Sequence, residues 1–339
     1  MPSLSLPSAP RTAWSLTPGS AGHEVQCRGI IAALGLEPVL KRVSPSAPWS
    51  WFAPWGPAQP DAAIVPPWPD LVVVSGRQAI PYARMIRRKA GGATFVLALQ
   101  NPVVAPSTFD LVWVNDHDGV SGPNVISTLT SPNTLSAEGL AQGAAGFAPL
   151  WQDLPHPWTG VILGGASGAY RFNEDDARRL GAALARIAAQ TGGSLLVTPS
   201  RRTGKEPLAA FRAALGNTPA WVWDGETGAN PYFGILGAAG NFVVTCDSVN
   251  MLGEAAFTGK PIHAWRLEGG SPKFAAFHDG LIEKGAMRWL EPDANASQKP
   301  NSTATLAAWT YKPLNATAVI VEAVRAAFAA RARGRGTAG

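Results

Sequence analysis

Short apolar runs rich in β-branched residues alternate with amphipathic stretches along most of this chain. In the first half, residues 13–16, 39–43, 70–75, 94–99 and 110–114 read as strands. The run Asp70-Leu71-Val72-Val73-Val74-Ser75 has no polar alternation, a pattern that suits a parallel strand covered on both faces. Helical periodicity covers residues 23–34 and 79–89, with Pro81 in a first turn, where proline is tolerated. A Pro- and Trp-rich excursion spans residues 44–69.

After Asp153-Leu154-Pro155-His156-Pro157 the pattern restarts. Strands are expected at 161–163, 194–198, 220–223, 242–245 and 261–265, and helices at 173–190, 206–215, 232–239 and 250–258. Glu174, Asp175 and Asp176 open the first of these helices, where carboxylates complement the helix dipole. An Ala-rich helix at 316–331 closes the series. Strands alternating with helices imply right-handed crossovers and parallel sheets. The expected architecture is α/β, with two Rossmann-like doubly wound domains facing a central cleft. Residues 1–152 would form the first domain and 153–312 the second. Residues 313–339 would be a helix packing back on the first domain, followed by a basic tail.

Composition narrows the class. With 339 residues, 46% hydrophobic and 15% charged, the chain can bury two cores. The net charge of +5 is mild and partly local, with Arg325, Arg331, Arg333 and Arg335 crowding the end; no nucleic-acid partner is expected. Two distant cysteines, Cys27 and Cys246, give neither a disulfide framework nor a zinc spacing, which suits a reducing compartment. Residues 1–10 lack the pattern of a secretory signal, and no apolar run reaches the ~20 residues of a spanning helix. A cytoplasmic protein is expected, at most peripheral at the inner membrane. Of the thirteen tryptophans, Trp49, Trp51, Trp55 and Trp68 sit in the Pro-rich excursion, where they either pin the loop or form a docking surface.

Candidate chemistry gathers where strands end. Gly164-Gly165-Ala166-Ser167-Gly168 follows a strand, and glycines there let backbone amides approach an anion. It is neither a P-loop nor a dinucleotide fingerprint. Ser200-Arg201-Arg202-Thr203 ends the next strand and offers guanidinium forks for phosphate. Asn230 and Tyr232 open a helix, and Thr245, Asp247, Ser248, Met251 and Glu254 run from strand end into helix. Asp247 or Ser248 suits a helix cap, whereas Glu254 suits ribose hydroxyls. In the first half, His23 stands at a helix start as a candidate base, beside Glu24 and Gln26. Arg77, Gln100, Asn101 and His117 end other strands and suit an acceptor. Asp116 is the second candidate base. The Asp116-His117-Asp118 triplet is a formal D-x-D, but no metal site is assigned.

Taken in order, these motifs carry a resemblance. Gly22-His23-Glu24-x-Gln26, Ser75-Gly76-Arg77-x-x-Ile80-Pro81, Phe109-Asp110-Leu111-Val112 with Asp116-His117-Asp118, and Gly122-Pro123-Asn124-Val125 look like the mitochondrial-fission "elongated mitochondria" family. So do Ser200-Arg201-Arg202-Thr203, Asn230-Pro231-Tyr232-Phe233-Gly234 and Thr245-x-Asp247-Ser248-x-x-Met251-x-x-Glu254. The composition looks like that of a bacterial member. The resemblance implies a GT-B glycosyltransferase acting without a metal or other cofactor. A nucleotide-sugar donor would sit on the second domain, and a cell-envelope glycan or glycolipid acceptor on the first. A wider likeness to the lipid-linked N-acetylglucosamine transferase of peptidoglycan synthesis places His23 and Glu254 at matching positions. Two alternatives stay open: a non-catalytic membrane-surface adaptor on the same scaffold, and a nucleotide-sugar 2-epimerase.

Overall fold

A computed structural model describes residues 9–290 and 306–336 and divides into two compact units. One comprises the chain up to Thr134 together with the stretch from Asn315 onward; the other is Leu135–Leu314. The division therefore falls at Thr134/Leu135 rather than at 152/153. The intervening residues form a helix, α4 (Ala137–Trp151), that belongs to the second unit. Residues 1–8, most of the segment that reads as lacking a leader, lie outside the described residues.

In the first unit, β1 (Ala13–Thr17), β2 (Pro38–Arg42), β3 (Leu71–Ser75), β4 (Phe95–Leu99), β5 (Leu111–Asn115) and β6 (Val125–Thr128) form one parallel sheet. Its order is β2-β1-β3-β4-β5-β6. Crossing elements include α1 (Ala21–Ala33), the single turn α2 (Trp49–Phe52) and α3 (Ile80–Lys89). The unbroken apolar run of β3 follows from covering both faces. Leu71 and Val73 pack with Ile30 and Ile31 of α1 and with Ile320, Val324 and Phe328 of α10 (Ala316–Gly336). Val72 and Val74 pack instead with Ile80, Tyr82 and Ile86 of α3. Cys27 and Cys246 are both free and buried.

In the second unit, β7 (Trp158–Leu163), β8 (Ser194–Pro199), β9 (Ala220–Val222), β10 (Asn241–Thr245), β11 (Ile262–Trp265) and β12 (Met287–Leu290) also run parallel. Their order is β12-β11-β10-β7-β8-β9. Between them lie α5 (Glu174–Thr191), α6 (Lys205–Leu215), α7 (Tyr232–Ala238), α8 (Val249–Ala256) and α9 (Pro272–Glu283). The acidic start of α5 is a reciprocal cap: Asn173 Oδ1 accepts from the Asp176 amide at 3.0 Å, and Asp176 Oδ2 from the Asn173 amide at 3.2 Å. The chain winds outward from β7 to β9, then returns to β10 beside β7 and winds the other way. That reversal leaves a crevice beyond the carboxyl ends of β7 and β10, the place where open α/β sheets take ligands. The first sheet reverses between β1 and β3.

Two buried histidines in the second unit set an acid limit. His263 of β11 lies against Trp309, ring centroids 5.0 Å apart, and its Nε2 is buried without a partner among the described residues. Burial, aided by Arg288, holds its pKa down at about 4. His278 of α9 meets the Cys246 carbonyl at 3.0 Å, and burial lowers it too. The unfolded chain takes up these protons below the ordinary value of 6.5, whereas the folded chain resists. Stability should thus hold above pH 6.5 and be lost as pH falls toward 4. Melting midpoints measured across that range should drop, and His263→Phe should flatten the drop; an unchanged slope in the variant would exclude this histidine as a source.

Candidate functional site

The carboxyl edge of the second sheet gathers most of the residues expected to hold a donor. At the reversal, Asp247 is wholly enclosed and gathers three donors. The Thr245 hydroxyl donates to Oδ1 at 2.7 Å, while the Gly165 amide and Arg202 Nη2 donate to Oδ2 at 3.0 and 2.7 Å. The Gly164 amide donates to Thr245 Oγ1 at 2.7 Å, and Arg202 Nη1 to the Gly165 carbonyl at 2.9 Å. Thr203 Oγ1 donates to the Gly164 carbonyl at 2.5 Å. The Gly164 and Gly165 amides are therefore already taken and not free to meet a phosphate. Both glycines are required for another reason, close approach. A Cβ on Gly164 would lie 2.0 Å from Asp247 Oδ1, and one on Gly165 1.9 Å from the Arg202 carbonyl. Ser167 Oγ accepts from the amides of Ala169 and Tyr170, and Ser248 Oγ caps α8 by accepting from the Met251 amide at 3.3 Å.

Beside this lock lies an open pocket of about 380 Å³. Ser200, Arg201, Asn230, Tyr232, Met251 and Glu254 all line it, brought from three separate segments. Three elements place them. β8 ends at Pro199, α7 begins at Tyr232, and α8 presents Met251 and Glu254 one turn apart on one face. The Tyr232 hydroxyl donates to Glu254 Oε2 at 2.6 Å, leaving Oε1 without a partner among the described residues. Burial raises the Glu254 pKa, and the tyrosine hydroxyl pulls it partly back. Arg201 is exposed and makes no hydrogen bond or ion pair among the described residues. Trp223 and Gly225 also line the pocket and were not singled out in the sequence. Their signal in the sequence is Trp223-Asp224-Gly225 at a strand's carboxyl end, and in the structure Gly225 adopts φ +88°.

In the first unit, His23 sits in the first turn of α1, beyond β1. Its Nδ1 is buried without a hydrogen-bond partner among the described residues, and a Cβ on Gly76 would reach it at 2.8 Å. Burial lowers its pKa, partly offset by the Gln100 side chain, so the ring is neutral at neutral pH. Gln100 Nε2 in turn donates to Gln26 Oε1 at 3.0 Å. Gln100 adopts φ +69°, a left-handed conformation unusual for this residue and a mark of a constrained site. His23, Gln26 and Gln100 thus form one cluster. The other first-unit residues have different partners. Glu24 is gripped bidentately by Arg42, at 2.5 and 3.0 Å, which holds its carboxyl below the usual range. Arg77 Nε donates to the Ala53 carbonyl at 2.6 Å. Asn101 Oδ1 accepts from the Val103 amide at 2.9 Å. Of the D-x-D, Asp118 Oδ2 accepts from the Asn115 amide at 3.3 Å and His117 lies 3.8 Å from Asp118, while Asp116 is exposed.

Against known proteins, the family model described as mitochondrial fission ELM1 matches residues 21–328. The chain belongs to the mitochondrial fission ELM1 family. Within it, the mitochondrial fission protein ELM1 of Arabidopsis thaliana is 29% identical over 287 residues, covering 78% of this chain. That match spans only 65% of the Arabidopsis protein, so this family member corresponds to less than two thirds of it. An uncharacterized protein of Rickettsia prowazekii is 25% identical over 296 residues, 77% of this chain and 80% of its own. Among solved structures, the UDP-GlcNAc 2-epimerase of Methanocaldococcus jannaschii superposes with a TM-score of 0.55 at 13% identity, over 91% of this chain and 98% of its own. At that identity the likeness concerns the fold, which is of GT-B type in this ELM1-family chain. No helix among the described residues is long and apolar enough to cross a membrane.

Proposed function

We propose that this chain binds a nucleoside diphosphate sugar in the second unit and transfers the sugar to a hydroxyl acceptor. The observation that carries this reading is the convergence of Ser200, Arg201, Asn230, Tyr232, Met251 and Glu254 on one pocket at a sheet's carboxyl edge. The Glu254 carboxylate, held through Oε2, offers Oε1 to the ribose hydroxyls. Trp223, tied by Nε1 to the Thr227 carbonyl at 2.7 Å, offers its ring face to the base. Arg201 meets the diphosphate and stabilises it as it leaves, an electrostatic role. His23 is the base. The acceptor oxygen attacks the anomeric carbon, its proton passes to the neutral imidazole, and the bond to the diphosphate breaks. Asp116 is the alternative base. That a fold neighbour is named for UDP-GlcNAc makes uridine diphosphate the first ligand to try.

A second reading, a non-catalytic adaptor, is favoured by the buried Asp247, which spends the Gly165 amide and the Arg202 guanidinium that a phosphate would otherwise use. Thermal-shift measurement with uridine, guanosine, adenosine and cytidine nucleotides and their sugar conjugates separates the two. A ligand at about 100 times its dissociation constant adds roughly 2.7 kcal/mol. One nucleotide should raise the melting midpoint. If none does at millimolar concentration, the adaptor reading stands and the enzyme reading falls. Release of an altered sugar nucleotide without acceptor would mark a 2-epimerase instead.

A further inference from the structure

The Pro- and Trp-rich excursion of the first unit divides into a packed part and a displayed part. Trp68 packs edge-on against Trp14, ring centroids 6.0 Å apart. By contrast, Trp51 is 72% exposed, Phe52 59% and Trp55 60%. Large aromatics rarely stand so far into water without a partner surface. They are not on a loose loop. Arg77 Nε holds the Ala53 carbonyl at 2.6 Å, and Arg84 Nη1 holds the carbonyls of Pro54 and Trp55 at 3.0 and 2.9 Å. The Arg77 guanidinium also lies over the Trp55 ring, 5.6 Å from its centre. Two arginines thus fix the backbone of the segment that carries the three exposed rings.

Behind the rings lies a groove of about 440 Å³ lined by Trp55, Pro57, Pro60, Arg84, Arg88 and Lys89. Arg88 and Lys89 are exposed at the end of α3 and carry no carboxylate partner among the described residues. Residues 44–89 hold five Arg and Lys against two Asp. Both aspartates are engaged by backbone amides: Asp70 by those of Arg11 and Thr12, and Asp61 by that of Ala63. Among the described residues, Arg87 alone of the α3 cations is paired with a carboxylate, that of Asp110.

We propose that Trp51, Phe52 and Trp55, with Arg84, Arg88 and Lys89 beside them, dock this unit on an anionic lipid bilayer. The rings sit at headgroup depth, where amphipathic aromatics are favoured, and the groove cations meet lipid phosphates. Charge decides for lipid over an apolar protein groove, because the cations border the rings with no acid among them. Arg77 follows Gly76, the glycine against His23, so docking also brings the His23 cluster near the bilayer surface. The docking itself stands independently of any sugar transfer.

The test is flotation of the full chain with phosphatidylcholine vesicles, with and without phosphatidylglycerol. The wild type should float with the anionic vesicles only, and less so in high salt. Arg88→Glu with Lys89→Glu should weaken partitioning by about 30-fold or more, at about five-fold per charge removed. Trp51→Ser, Phe52→Ser and Trp55→Ser together should weaken it by about ten-fold or more. All these side chains are exposed, so melting midpoints should not move; the charge variant, on the solvent side of a helix, keeps the test valid if the aromatic one misfolds. Wild type that ignores anionic vesicles, or variants that float as well as it does, would overturn the proposal. So would a wild-type dimer, silent toward vesicles, that the aromatic variant dissociates, since the face would then join two copies of this chain.

Discussion

Asp247→Ala should destabilise the second unit by about 3–5 kcal/mol, the range for breaking a buried charged network. The carboxylate is wholly enclosed and ties together three chain segments: the turn after β7, the turn after β8 and the end of β10. Its removal leaves the Gly165 amide and the Thr245 hydroxyl buried without their partner, each worth about 1–3 kcal/mol, and opens a void between two glycines. Arg202 is less penalised, because its side chain is 39% exposed and can be rehydrated. Asp247→Asn should cost less than alanine, since it keeps the volume and one acceptor but sets an amide donor against other donors. Hydrogen exchange read at the β7 and β10 amides is the direct measurement. Protection there should fall in the alanine variant while that of the first sheet holds; equal protection in variant and wild type would mean the network contributes little.

That lock also shows where sequence reading reached and where it stopped. The apolar runs of β1, β3, β4 and β5 were legible because these strands are covered on both faces, so nearly every residue must be apolar. Of the edge strands, β2 and β9 were read from short apolar runs, whereas β6 and β12 were not. β6 and β12 are four-residue edge strands with mixed burial and offered too little pattern. Helix α4 was invisible for a different reason. Its Gly139, Gly143, Gly146 and Pro149 look like loop punctuation, yet Gly143 marks close helix packing. A Cβ on Gly143 would lie 2.9 Å from the Gly234 amide, and one on Gly237 2.2 Å from the Leu140 carbonyl. Missing α4 displaced the domain boundary. At the site, strand ends located the right residues but not their bonds. Glycines that admit a phosphate and glycines that admit a neighbouring carboxylate look alike in one dimension. Only coordinates show that Asp247 reaches Gly165 first, or that Glu254 and Tyr232, far apart along the chain, share a hydrogen bond.

Glu254→Ala should weaken nucleotide binding by about 100-fold, if the carboxylate accepts two ribose hydroxyls at about 1.5 kcal/mol each. The substitution has little reason to harm the fold, because it removes a half-buried acid that burial already disfavours in its charged form. Selectivity separates this role from a merely structural one. A 2′-deoxynucleotide should bind the wild type more weakly than its ribose parent, and the two should bind Glu254→Ala alike. Tyr232→Phe sharpens the test through pH. The tyrosine hydroxyl lowers a carboxyl that burial has raised above 4.5, so its removal lets the pKa climb further. Protonated Glu254 is a poorer acceptor. Affinity should therefore fade as pH falls, and the fade should begin at higher pH in Tyr232→Phe than in the wild type. Titration calorimetry at several pH values measures both effects. A deoxy penalty that survives in Glu254→Ala would move the ribose elsewhere and leave the pocket's polar lining without the ligand assigned to it.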